Sequence, residues 1–92
     1  MAMIAKRIQV GGRVQGVGFR WMTLMVAQQL HIVGMAQNQP DGTVLIEAVG
    51  PEAAMAKFTA AVKASPSPSG KVLSYHEQVL DPIPAYSRFS VR

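Results

Sequence analysis

The sequence predicts an α+β domain, with two helices laid on one face of an antiparallel sheet. Three observations predict it. The apolar period switches between 2 and 3.6 in the order strand, helix, strand, strand, helix, strand. Glycine- and proline-rich punctuation separates those segments. A chain of 92 residues, 49% of them hydrophobic, is enough for one core and too short for two.

Arg7-Ile8-Gln9-Val10 alternates polar and apolar residues, as a half-buried strand does. The glycine-rich stretch from Gly11 to Gly18 follows and runs into a helix expected over Arg20 to Leu30. Phe19, Met22, Val26 and Leu30 recur at helical spacing with Met25 beside them, which predicts their burial in the core. Trp21 is expected to pack at the margin of the loop. His31 closes the helix, where an imidazole suits the negative end of the dipole. A second strand is expected over Ile32 to Asn38. Pro40-Asp41-Gly42 then signals a turn, and Thr43 to Val49 returns as the partner of a hairpin.

Gly50-Pro51-Glu52 opens a second helix, with Pro suited to its first position and Glu to the positive end of its dipole. Met55, Phe58 and Val62 form the apolar face of that helix. Ser65-Pro66-Ser67-Pro68-Ser69-Gly70 stops it and is expected to be a flexible loop. Lys71 to Val79 and Tyr86 to Val91 are the remaining strand candidates, separated by Asp81-Pro82-Ile83-Pro84. The order βαββαβ, with a short strand added, is that of a ferredoxin-like split βαβ sandwich, and residues 1–92 form a single domain.

Composition removes several functional classes. With no cysteine, disulfides, thiolate chemistry and cysteine-based metal sites are excluded. No apolar run reaches the length that crosses a bilayer, and residues 1–7 lack the apolar segment of a secretory signal. A cytoplasmic protein with no membrane partner is expected. The net charge of +4 favours anionic partners, but the nine Lys and Arg are scattered without a basic run, so no nucleic-acid partner is expected. Two histidines, one at a helix end and His76 on a solvated strand, do not make a metal site.

The chemistry concentrates in Gly11-Gly12-Arg13-Val14-Gln15-Gly16-Val17-Gly18-Phe19-Arg20. Closely spaced glycines let the backbone turn sharply and approach a ligand, so several amides can converge on one small space. The loop opens onto a helix N-terminus, and Arg20 adds a guanidinium fork: the combination is a nest for a phosphate-sized anion. An arginine beside the positive end of a helix dipole is unfavourable unless an anion compensates it. The structural alternative is an ion pair of Arg20 with Asp41 or Glu47. In a split βαβ unit the first two strands run parallel, so the loop and Asn38 lie at the same sheet edge. Asn38 is placed beside the anion, its alternative being a cap on its own turn. Arg13, Arg88 and Arg92 are expected at the surface, where each can add to the attractive field.

Val14-Gln15-Gly16-Val17-Gly18-Phe19-Arg20, followed by an Asn just before a Pro-Asp-Gly turn, resembles the acylphosphatase family. The likeness spans nearly the whole chain, including the closing Phe89-Ser90-Val91-Arg92 strand. It implies hydrolysis of the carboxyl-phosphate bond of acyl phosphates by a monomer, with no metal or organic cofactor. The resemblance also implies that Arg20 binds the phosphoryl group with the amides of Gln15, Gly16, Val17, Gly18 and Phe19, while Asn38 orients the attacking water. Met35 and Gln37 depart from the family pattern, where an aromatic and a Lys or Arg are common. Both departures bear on substrate attraction and packing beside the site.

Two other classes compete. A noncatalytic sensor of phosphate-like anions on the same fold requires the loop and Arg20 but not Asn38. An RNA-binding module requires aromatics paired on the sheet surface, for which the candidate strand carrying Tyr86 and Phe89 is considered. Similar domains also stand at the front of larger carbamoyl-transfer proteins; the end of the sequence at Arg92 favours a free-standing enzyme.

Overall fold

The structure, a computed structural model, describes residues 2–92. Its elements in chain order are β1 (Met3–Arg13), α1 (Phe19–Gln29), β2 (Val33–Asn38), β3 (Val44–Pro51), α2 (Glu52–Lys63), β4 (Lys71–Val79) and β5 (Phe89–Val91). The sheet order is β4-β1-β3-β2-β5. The first four strands pair antiparallel, as expected of the split βαβ sandwich. β5 adds itself parallel to β2, aligning Gly34 with Phe89 and Ala36 with Val91, so the sheet is mixed rather than purely antiparallel. That last strand is three residues long, not the six expected from Tyr86.

Strand alternation places the core. Ile8 faces Ile46 and Val10 faces Val44 across β1 and β3, and all four are fully buried. The face they form is covered by the helices: Met55, Phe58 and Val62 of α2 are buried as expected, and Phe58 meets Phe89 with ring centroids 6.1 Å apart at a tilted angle. On α1 the buried row is Phe19, Thr23 and Ala27, whereas Met22 and Val26 are only half-buried and Met25 is 52% exposed. The apolar spacing misplaced the face because the buried Thr23 hydroxyl is satisfied locally, donating to the Phe19 carbonyl at 2.8 Å. A polar residue thus sits at the centre of the face, one position round from Met22. Trp21 is 61% exposed rather than packed at the loop.

The helix ends follow their local chemistry. His31 takes the left-handed conformation that closes α1, with the Ile32 amide donating to the Ala27 carbonyl at 2.8 Å and the His31 amide to Gln28. α2 starts one residue later than expected: Pro51 is extended and ends β3, and Glu52 supplies the acid of the first turn.

The opposite face of the sheet carries polar residues. There Glu47 of β3 accepts from the Tyr86 hydroxyl at 2.6 Å and from the Arg7 guanidinium at 2.9 Å. The Tyr86 bond ties the 80–88 return segment to the sheet just before β5. Burial raises the Glu47 pKa, but the Tyr86 hydroxyl and the Arg7 cation outweigh it, and the carboxyl titrates below the usual glutamate range. A carboxyl depressed on folding contributes stability that is present above its unfolded-state pKa and lost as pH falls through the folded one. Glu47→Gln is therefore expected to be less stable than the parent at neutral pH and to lose less on acidification. Urea midpoints followed from neutral to acid pH check this; parallel curves for the two proteins would remove Glu47 from the acid response.

Candidate active site

Four segments converge at the ends of β1 and β2: the loop 14–18, the first turn of α1, the 39–43 turn and the close of β5. Hydrogen bonds join them. The Gln15 side-chain amide donates to the carbonyls of Gln39 at 2.8 Å and Thr43 at 3.0 Å, tying the loop to the turn that follows Asn38. The Arg20 guanidinium donates to the main-chain oxygen of Arg92 at 2.6 Å, and the Arg92 amide donates in turn to Ala36 of β2 at 2.8 Å.

Within the loop, Gly16 and Gly18 have φ of 74° and 77°. A Cβ added at either would meet nothing within 4 Å. The left-handed backbone, and not crowding, demands glycine there, and another residue would be strained by about 1–2 kcal/mol. Gly18 is also the residue from which α1 starts, with no side-chain cap and no acidic residue in the first turn. Among the described residues, the amides of Gln15, Gly16, Val17, Gly18 and Phe19 donate to no protein acceptor. Five free donors stand at the positive end of a helix dipole, with a guanidinium one residue further on. That arrangement repels cations and attracts a compact polyanion.

Gly11 and Gly12 do not belong to this loop. Both lie in β1, and the register against β4 shifts between them in a bulge that brings Gly12 opposite Val72. A Cβ at Gly12 would collide with the Lys71 carbonyl, so that glycine serves strand pairing.

Arg20 makes neither ion pair offered as its structural alternative. Asp41 is occupied by Thr43, whose hydroxyl (2.6 Å) and amide (3.0 Å) hold its carboxyl below the usual aspartate range. Glu47 is held by Tyr86 and Arg7 on the other face. One guanidinium N–H is spent on Arg92, and among the described residues no protein acceptor takes the rest.

Asn38 pairs opposite Val44, in the row that carries Ala36 and Ile46, so its side chain belongs to the helix-covered face. Its amide oxygen is buried and receives no hydrogen bond among the described residues. Its expected alternative, a cap on its own turn, is absent; Asp41 performs that task. Met35 and Gln37 pair opposite Glu47 and Leu45, one position out of phase with Asn38. They therefore face the other side of the sheet, and the two departures from the family pattern do not line the site.

Sequence reasoning missed three contributors: the Gln15 side chain as a brace, the Arg92 main chain, and Ser67. The 65–70 segment expected to be flexible buries Ser67, whose hydroxyl donates to the Val17 carbonyl at 2.6 Å. Main-chain contacts of this kind leave no periodic trace in the sequence. The two aromatics on which the RNA-binding reading depended are both engaged, Phe89 under α2 and Tyr86 on Glu47.

The Acylphosphatase family model matches residues 6–91. An acylphosphatase of Lacticaseibacillus paracasei is 50% identical over 91 residues, 99% of this chain and 98% of that relative. The crystal structure of the Bacillus subtilis acylphosphatase superposes with a TM-score of 0.92 at 40% identity, covering 97% of this chain and 98% of that one. Full-length HypF, in its phosphate- and nucleotide-bound form, contains a similar fold: TM-score 0.90 at 25% identity, over 99% of this chain but 12% of that one.

Fold, loop and relatives together define a small α+β hydrolase of acyl phosphates. The chain belongs to the acylphosphatase family. A noncatalytic sensor on the same fold is not favoured.

Removing the brace tests how the loop is held. Gln15→Ala leaves the Gln39 and Thr43 carbonyls without that donor, and is expected to lower stability by about 1–2 kcal/mol. Amide hydrogen exchange at Gly42 and Thr43 should accelerate while β1 and β3 stay protected; unchanged exchange would show that the turn does not rely on Gln15.

Proposed function

We propose that the loop amides and Arg20 bind the phosphoryl group of an acyl phosphate and that Asn38 orients the water that attacks phosphorus. The observation that carries this reading is the Asn38 amide oxygen, a buried acceptor on the helix-covered face of the sheet with no donor among the described residues. A water seated there donates one hydrogen bond to it and turns a lone pair toward phosphorus.

The chemistry needs little more. Water attacks phosphorus as the bond from phosphorus to the acyl oxygen breaks, and the acyl group leaves as a carboxylate. That leaving group is stable as an anion and needs no general acid. The proton of the attacking water passes to a phosphoryl oxygen of the substrate, so no protein base is required. Catalysis is then positioning plus charge stabilisation, supplied by five main-chain N–H donors and a guanidinium able to grip two oxygens at once. No Asp, Glu or His side chain among the described residues bonds to Arg20.

On this reading the physiological partner is a small acyl phosphate, with inorganic phosphate as product and no metal or cofactor. The enzyme is taken to act as a monomer. The cytoplasm, where charged anhydrides are formed and retained, is the compartment that suits it. No nucleic-acid partner is included.

Turnover of a simple aryl acyl phosphate separates the roles. Asn38→Ala is expected to lower kcat by about 10²–10³-fold while inorganic phosphate still inhibits at the parent's concentration. Arg20→Ala is expected to weaken both phosphate inhibition and turnover, and Arg20→Lys to restore little of either, because a point charge cannot replace the planar fork. Full turnover in Asn38→Ala would end its assignment to the water.

A further inference from the structure

The loop that holds the anion site is itself held from behind. Ser67, only 3% exposed, donates its hydroxyl to the Val17 carbonyl at 2.6 Å. Its own carbonyl accepts from the Ser65 hydroxyl at 2.9 Å and from the Gly70 amide at 3.1 Å, so the 65–70 segment is a closed turn that presents Ser67 inward. The contact spans 50 residues and joins the α2–β4 connection to the glycine loop.

The peptide plane makes this bond matter. In a trans peptide the carbonyl of one residue and the N–H of the next point in opposite directions. Fixing the Val17 carbonyl toward Ser67 therefore fixes the Gly18 N–H away from Ser67. Val17 lies between two glycines in left-handed conformation, so this peptide is poorly restrained by its own sequence. Rotated by half a turn, it would aim a carbonyl lone pair where a donor is wanted.

We propose that Ser67 is a positioning residue for phosphoryl binding: by holding the Val17 carbonyl it aims the Gly18 N–H into the anion site. This rests on the reading of the loop as a phosphate cradle. Ser67 touches no substrate; it selects the peptide orientation that does.

Inorganic phosphate is the probe, followed by amide NMR on the full chain and by inhibition of acyl phosphate turnover. In the parent, the Gly16, Val17 and Gly18 amide signals should all move as phosphate saturates. Ser67→Ala is expected to raise the phosphate Kd about tenfold, to lower kcat/KM by a similar factor, and to shrink the Gly18 movement. Ser67→Thr, which keeps the hydroxyl, should retain the parent's Kd. Ser67→Cys, nearly isosteric but a weak donor, reads the same loss should the alanine variant not fold. A folded Ser67→Ala or Ser67→Cys protein with the parent's phosphate Kd overturns the proposal, whatever its melting temperature. So does a parent Gly18 amide that stays still while Gly16 and Val17 respond. If no loop amide moves, the phosphate cradle fails, and Ser67 with it.

Discussion

Unspent backbone donors are the constraint on which the rest of this molecule turns. Five consecutive amides from Gln15 to Phe19 find no protein acceptor among the described residues, and the helix they lead into has neither a side-chain cap nor an acid in its first turn. Most proteins neutralise such an end with Ser, Asp or Glu. Here Arg20 compounds the positive potential instead. The folded chain carries this locally unfavourable charge because other interactions hold it, and on the proposed reading an arriving anion relieves it. In that reading, binding energy is stored as electrostatic mismatch in the free protein.

Holding the mismatch in place takes contacts from every side of the loop. Gln15 ties it to the 39–43 turn, Ser67 fixes the Val17 carbonyl, and the Arg92 main chain grips Arg20. Each anchor uses a main-chain oxygen, so none adds a negative side chain that would neutralise the site. The Arg20 anchor reaches back further. β5 lies parallel beside β2 and sets Arg92 against Ala36, while Tyr86 on Glu47 secures the approach to β5 from the other face of the sheet. A bond on the face away from the helices therefore helps place the arginine on theirs.

How much of this was legible in the sequence follows from the range of each interaction. The loop, Arg20 and Asn38 stood out because special backbone angles restrict residue choice to Gly, and because the strand order alone brings the loop and Asn38 to one sheet edge. α2 was legible because Met55, Phe58 and Val62 are its buried face. The α1 face was misread where Thr23, satisfied by its own turn, replaced an apolar residue at the centre. Gly11 and Gly12 were assigned to the loop because a β-bulge and a nest use the same residue type; only the pairing partner, here β4, tells them apart. The Ser-Pro segment read as flexible by composition, yet Ser67 is buried on a carbonyl that no sequence pattern marks. Side chains that bond to main chain across long separations are the part that sequence periodicity does not encode.

The distribution of acids completes the logic. Only five acidic side chains occur in the chain. Asp41 is taken by Thr43, Glu47 by Tyr86 and Arg7, and Glu77 by Lys6 and Tyr75, while Glu52 starts α2 and Asp81 lies exposed in the return segment. An acidic side chain within reach of Arg20 would neutralise the guanidinium and compete with an anion for the loop amides. It would also offer the base that most hydrolases require. On the proposed reading acyl phosphates do not need that base, because a phosphoryl oxygen of the substrate takes the water's proton. On the proposed reading, the reaction with the least demand for proton transfer suits a site without acidic side chains, and its anionic substrate meets no competing negative side chain there.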